Sequence, residues 1–152
     1  MQPKRILMTQ DGFDKLIVEK EKLEKERPAA VLDLKKAREM GDLSENGYYK
    51  GARAKLSAID ARIREVTHLI RFAKIAKHID SDTITLGSKI TLQHENGEIS
   101  YTLVGEPEAN PSEKKISHKS PLGRALIDKK IGESVVVAAP TGEKVYTIKS
   151  IA

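Results

Sequence analysis

The sequence predicts an α+β protein of two domains: an antiparallel coiled-coil hairpin over residues 1–78, then a small domain of strands around one short helix over 79–152. Three observations predict it. Ala52, Leu56, Ile59, Ile63, Val66, Ile70 and Ala73 alternate steps of four and three without a break, the a/d seam of packed helices. The apolar period falls to two after about residue 80. Between the two helical stretches lie only a few turn residues, Gly41-Asp42-Leu43-Ser44, and a short connection makes neighbouring helices antiparallel.

The first helix is expected over 9–40, with Thr9 as its N-cap. Leu16, Leu23, Ala30, Leu34 and Ala37 share a seam that polar Lys20 and Arg27 interrupt. Helix formers dominate DKLIVEKEKLEKE, and Glu21 and Lys25 form a favourable i,i+4 pair. Pro28 lacks the N–H that a helix interior uses, so a kink or brief break is expected there. The second helix is expected over about 46–75, with Tyr49 extending the seam backwards. At 1.5 Å per residue it would be roughly 40–45 Å long.

The boundary between the halves is expected near 78–82. Beyond it, Ile84, Leu86, Ile90 and Leu92 alternate with polar residues. Asn96-Gly97 then signals a hairpin turn, and Ile99, Tyr101 and Leu103 resume the alternation. Residues 105–112 read as a loop and 113–117 as another strand. Ser120-Pro121 opens a short helix with proline at its first position. Val135–Val137 and Val145–Ile148 make a last strand pair across Pro140-Thr141-Gly142.

Composition narrows the function classes. The absence of cysteine excludes disulfides, thiolate catalysis and zinc–cysteine sites. No apolar run approaches the roughly 20 residues that span a bilayer, and the basic start has no apolar segment behind it. The expectation is a cytoplasmic protein without membrane contact. The net charge of +5 lies in the first half: residues 1–80 hold 18 Lys+Arg against 13 Asp+Glu, and residues 81–152 hold 9 against 9. Within 50–77, eight cations (Lys50, Arg53, Lys55, Arg62, Arg64, Arg71, Lys74 and Lys77) face only Asp60 and Glu65. Such a helix suits phosphate backbones or an acidic protein surface, and equally a solvated face.

The turn Glu39-Met40-Gly41-Asp42-Leu43-Ser44-Glu45-Asn46 supports two readings. In one, Gly41 is a helix C′ residue with positive φ, Asp42 or Ser44 caps the second helix, and Asp42-x-x-Glu45 has capping-box spacing. In the other, two carboxylates at the end of a rod share one divalent cation. Magnesium takes few protein ligands and keeps several waters, so such a pair suits completing another protein's metal site. The two readings are compatible.

The tip run Ala37-Arg38-Glu39-x-Gly41-Asp42-Leu43-Ser44-Glu45-Asn46-x-x-Tyr49-x-x-x-Arg53 resembles that of the Gre transcript cleavage factors. A second run, Ser117-x-x-Ser120-Pro121-Leu122-Gly123-Arg124-Ala125-Leu126-Ile127 with Gly132-Glu133 beyond, resembles the family's C-terminal signature. The resemblance spans nearly the whole chain, Met8 to Ile151. It implies a coiled coil followed by an FKBP-like domain. It further implies a transcription elongation factor that enters the secondary channel of bacterial RNA polymerase and reaches the 3′ end of backtracked nascent RNA.

The resemblance assigns Asp42 and Glu45 as the acidic pair, with tip residues 41–46 around them. These two would help hold a second Mg2+ in the polymerase active site, an ion the isolated protein does not bind tightly. The protein would not be an enzyme alone; it would stimulate the polymerase's own metal-dependent RNA cleavage. Arg38 and Arg53 match basic positions beside the tip, suited to RNA or polymerase contact, or to ordinary surface ion pairs. Tyr49 matches the aromatic position, for RNA contact or seam packing. Ser120, Pro121 and Leu122 match the segment expected near the polymerase docking surface, or else form a structural helix cap. A monomer is expected.

Departures from the family pattern sit at Gly47, Tyr48 and Gly51, where alanine, glutamate and alanine are more usual. Glycine in a helix interior costs up to about 1 kcal/mol, so fraying near the tip is expected. A non-catalytic channel-binding inhibitor of the same fold is the alternative, and the intact acidic pair argues against it. A prolyl isomerase is disfavoured because residues 78–152 contain no Phe or Trp to line an apolar pocket. A free-standing RNA-binding coiled coil would act without polymerase, with steep salt dependence.

Overall fold

The computed structural model describes residues 4–41, 46–79 and 81–152. The chain divides into two compact units, Asp14–Phe72 and a second that joins Met1–Phe13 to Ala73–Ala152. In chain order the elements are β1 (Ile6–Met8), α1 (Gln10–Arg38), α2 (Gly47–Phe72), β2 (Ala73–Ile75), β3 (Lys89–His94), β4 (Gly97–Val104), β5 (Lys115–Ser117), α3 (Pro121–Leu126), β6 (Ser134–Ala139) and β7 (Gly142–Ile151).

The helical unit buries the expected seams. Leu16, Ala30 and Ala37 of α1 are buried, as are Ile59 and Val66 of α2, while Leu23, Leu34, Ala52, Leu56, Ile63 and Ile70 are half-buried. The expected break at Pro28 does not occur: α1 runs continuously through it. Pro28 is solvent-exposed, so the opened hydrogen-bond site faces water, which can satisfy it. Arg27, an interruption in the seam, reaches across to α2. Its Nε and Nη2 donate to the two carboxylate oxygens of Asp60 at 2.6 and 3.3 Å. Arg62 returns the exchange, donating to Glu19 at 2.5 and 2.9 Å and to Glu65 at 2.9 Å. On α1, Lys20 and Glu24 form an i,i+4 pair at 3.8 Å, one position before the expected Glu21–Lys25.

The expected boundary at 78/79 differs from the observed division at both ends. Ile6–Met8 pair in parallel with Ala73–Ile75, and the Ala76 N–H donates to the Met8 carbonyl at 3.0 Å. The second helix therefore ends at Phe72, and Ala73 is a strand residue. Thr9 caps α1 as expected, its hydroxyl accepting from the Gly12 N–H at 3.1 Å. The Glu108 carboxylate supports the same turn, accepting from the Thr9 hydroxyl and from the N–H groups of Thr9 (2.9 Å) and Gly105 (3.0 Å).

A five-stranded sheet of order β5-β4-β3-β7-β6 forms the rest of this unit, antiparallel except for the β4–β5 pair. Ile84, Leu86, Ile90, Leu92, Leu103, Leu126, Val135 and Ile148 make one buried cluster. Ile84 and Leu86 join it without being strand residues. A turn intervenes, with Gly87 at φ +95° and the buried Ser88 hydroxyl accepting from the Thr85 N–H at 3.0 Å.

Candidate functional site at the hairpin tip

The last turn of α1 tightens before it ends. The Glu39 and Met40 N–H groups donate to the carbonyls of Lys36 and Ala37, both at 3.2 Å. Gly41 follows at φ +108°, a left-handed conformation that side chains resist, which fits the expected C′ role. The next four residues, Asp42 to Glu45, lie outside the described residues, so the expected acidic pair does too.

The structure resumes at Asn46, which caps α2. Its Oδ1 accepts from the Tyr49 N–H at 3.2 Å, and its carbonyl accepts from the Lys50 N–H at 3.1 Å. The cap candidates Asp42 and Ser44 lie outside the described residues; Asn46 serves as a cap, and helical structure begins directly at Gly47 and runs through Gly51. The same side chain donates from Nδ2 to the Ala37 carbonyl at 3.4 Å, tying the end of α1 to the start of α2. Ala37 is fully buried beneath this link. Sequence reasoning missed Asn46, although asparagine three residues before a seam tyrosine is an N-cap signal.

Around this frame, Arg38 and Arg53 are solvent-exposed, one on each helix. Tyr49 is half-buried, as its seam position implies, whereas its neighbour Tyr48 is 51% exposed. The charge distribution differs from the one-sided helix expected over 50–77. Arg62 is engaged by Glu19 and Glu65, Asp60 is engaged by Arg27, and Lys74 and Lys77 lie beyond α2. The hydrogen bond to Asp60 raises the pKa of Arg27, and the same bond lowers that of Asp60. Towards the tip, Lys35, Lys36 and Arg38 of α1 and Lys50, Arg53 and Lys55 of α2 are all exposed. Among the described residues, no three His, Cys, Asp or Glu side chains are grouped to hold a metal ion.

In the other unit, Ser120 is the N-cap of α3. Its hydroxyl accepts from the Gly123 N–H at 3.0 Å and donates to the Ser117 carbonyl at 2.6 Å. Pro121 occupies the first helical turn and is exposed, and Leu122 packs against the core. Gly123 is required by close approach, since a Cβ there would lie 2.0 Å from the Ser117 carbonyl oxygen. This stretch therefore does structural work, with Leu126 buried and Ile127 packed on the cluster.

Residues 6–75 match the family described as transcription elongation factor, N-terminal, and residues 79–152 match transcription elongation factor, GreA/GreB, C-term. The chain belongs to the GreA/GreB transcription elongation factor family. It is 42% identical to transcription elongation factor GreA of Lactococcus lactis over 95% of this chain and 96% of that one. The GreA of Mycoplasmoides gallisepticum is 40% identical over 97% and 96%, and that of an Anaeromyxobacter strain 42% identical over 97% and 92%. The two family matches follow one another in the order of the chain's two halves, helical and then mainly β. No helix among the described residues is long and apolar enough to cross a membrane.

Proposed function

We propose that this GreA/GreB factor binds bacterial RNA polymerase in the cytoplasm as a monomer, enters the secondary channel tip first, and stimulates cleavage of backtracked nascent RNA. The observation that carries the reading is the tip frame. The residues joining α1 to α2 include Asp42 and Glu45, and neither is needed as the helix cap, because Asn46 takes that role. The link from Asn46 to Ala37 ties the start of α2 to the end of α1.

Two carboxylates are too few donors to retain Mg2+ on this chain, which fits a pair that completes a site supplied mainly by the polymerase. When bound there, that ion supplies activation of the attacking water and neutralisation of charge on the leaving oxygen. Asp42 and Glu45 contribute oxygen ligands and orient the water. Arg38 and Arg53, exposed on the two helices beside the tip, meet the RNA backbone or acidic groups of the channel. Tyr49 packs in the seam and keeps the start of α2 in register. The exposed Pro121 belongs to the segment that faces the polymerase outside the channel, while Ser120 and Leu122 hold that segment in shape.

The test adds the protein to stalled, backtracked polymerase with magnesium and follows 3′ fragments. Wild type releases a short fragment; Asp42→Asn and Glu45→Gln lose nearly all stimulation but still bind polymerase. Protein and RNA without polymerase give no cleavage. Full activity in both variants would refute the reading.

A further inference from the structure

Beside the tip, the helical unit has an open notch of about 300 Å³, lined by Ala30 and Asp33 of α1 and by Gly47, Tyr48, Gly51 and Lys55 of α2. We propose that this notch receives one unpaired base of the extruded RNA, stacked on Tyr48. The inference rests on the cleavage reading above and deepens it.

The notch exists because of two glycines that nothing inside the chain requires. Gly47 and Gly51 are four residues apart, so they share one face of α2. A Cβ on either would meet no atom within 4 Å, and neither has a positive φ. Packing and backbone conformation would both accept alanine, the better helix former. What the glycines do is remove side chains from the wall beside Tyr48, a lining residue that is half exposed.

The lining matches a nucleotide in size and charge. The volume lies at the small end of the roughly 300–1,000 Å³ typical of ligand pockets, suited to a single planar ring system. Tyr48 supplies an aromatic face, and every base has a face to stack on it. The Asp33 carboxylate accepts from a base amino or imino N–H, as carboxylates do in base recognition. Lys55 at the notch, with Lys50 and Arg53 on the same helix, supplies cations for the adjoining phosphates. Among the described residues, no ion pair engages Asp33 or Lys55, so both charges are available. An acidic peptide would satisfy the lysines but meet repulsion at Asp33, which favours the base.

The experiment compares backtracked complexes whose extruded nucleotides carry normal bases or are abasic, reading the protein concentration that gives half-maximal factor-dependent cleavage. For wild type, abasic RNA should raise that concentration about tenfold, the scale of one stacked base. Tyr48→Ala and Gly51→Leu should show the same tenfold loss on normal RNA and no further loss on abasic RNA. Tyr48→Phe should retain wild-type behaviour, and circular dichroism should show both loss variants as helical as wild type. Equal wild-type values on the two RNAs would overturn the proposal while leaving the cleavage reading intact. So would weakened binding of Tyr48→Ala and Gly51→Leu to RNA-free polymerase, which would assign the notch to a protein side chain. Absence of wild-type stimulation on both RNAs would bring down the cleavage reading and this proposal together.

Discussion

The helical unit and the sheet unit are stabilised in different ways. In the sheet unit, Ile84, Ile90, Leu92, Leu103, Leu126 and Ile148 are each at most 1% exposed and pack as one cluster. Among the described residues, the helical unit has no such centre. Its buried positions are strung along two seams, two of the five alanine, and partly exposed ion pairs join α1 to α2. A cluster concentrates stability in a few large side chains. A two-helix rod distributes it, and leaves one end free for chemistry.

The sharpest way to break this comparison is to truncate one side chain in each unit. Leu126→Ala removes a fully buried side chain from the cluster and should destabilise the sheet unit by about 3–4 kcal/mol in denaturant unfolding. Ile59→Ala, on the α2 seam, should cost roughly 2 kcal/mol, because a two-helix layer collapses more easily onto the gap. Equal losses would contradict the distinction. Asn46→Ala should cost about 1 kcal/mol of helical stability through the lost cap. It should also lower cleavage while Asp42 and Glu45 are intact, because the link to Ala37 is lost with the cap.

The ion pairs should matter least. A double-mutant cycle on Glu19 and Arg62 should give a coupling of about 0.5 kcal/mol, as expected for partly exposed pairs. Arg27 and Asp60 give a pH test. Since the hydrogen bond lowers the Asp60 pKa, the pair's contribution is present above the ordinary carboxylate value and fades only as pH falls through the lower, folded-state value. Helical signal should therefore be insensitive to this pair between roughly pH 5 and 8, and its loss should appear only in acid.

The contrast also explains what was legible in the sequence. Both seams, the antiparallel turn, the Gly41 conformation and most strands follow from local periodicity and turn chemistry. The β1–β2 pair was hidden because Ile6–Met8 is too short to show a pattern and Ala73 continues the helical spacing. Ile84 and Leu86 have strand periodicity, but Gly87 turns the chain before pairing begins. The cross-helix pairs join residues 33 and 43 positions apart, beyond any i,i+4 rule, so Arg27 looked like a defect in the seam. At the tip, the expected acidic pair lies outside the described residues, whereas Asn46, which links the two helix ends, was overshadowed by two acceptable alternative caps.

The central claim is that Asp42 and Glu45 lend ligands to a metal site belonging to the polymerase. Its most direct test is the rate of 3′ fragment release by backtracked polymerase as magnesium is varied, with wild type and with Asp42→Asn. The account predicts that the variant needs a markedly higher magnesium concentration for half-maximal cleavage while binding polymerase as tightly as wild type. An unchanged magnesium dependence, with the rate intact, would contradict it.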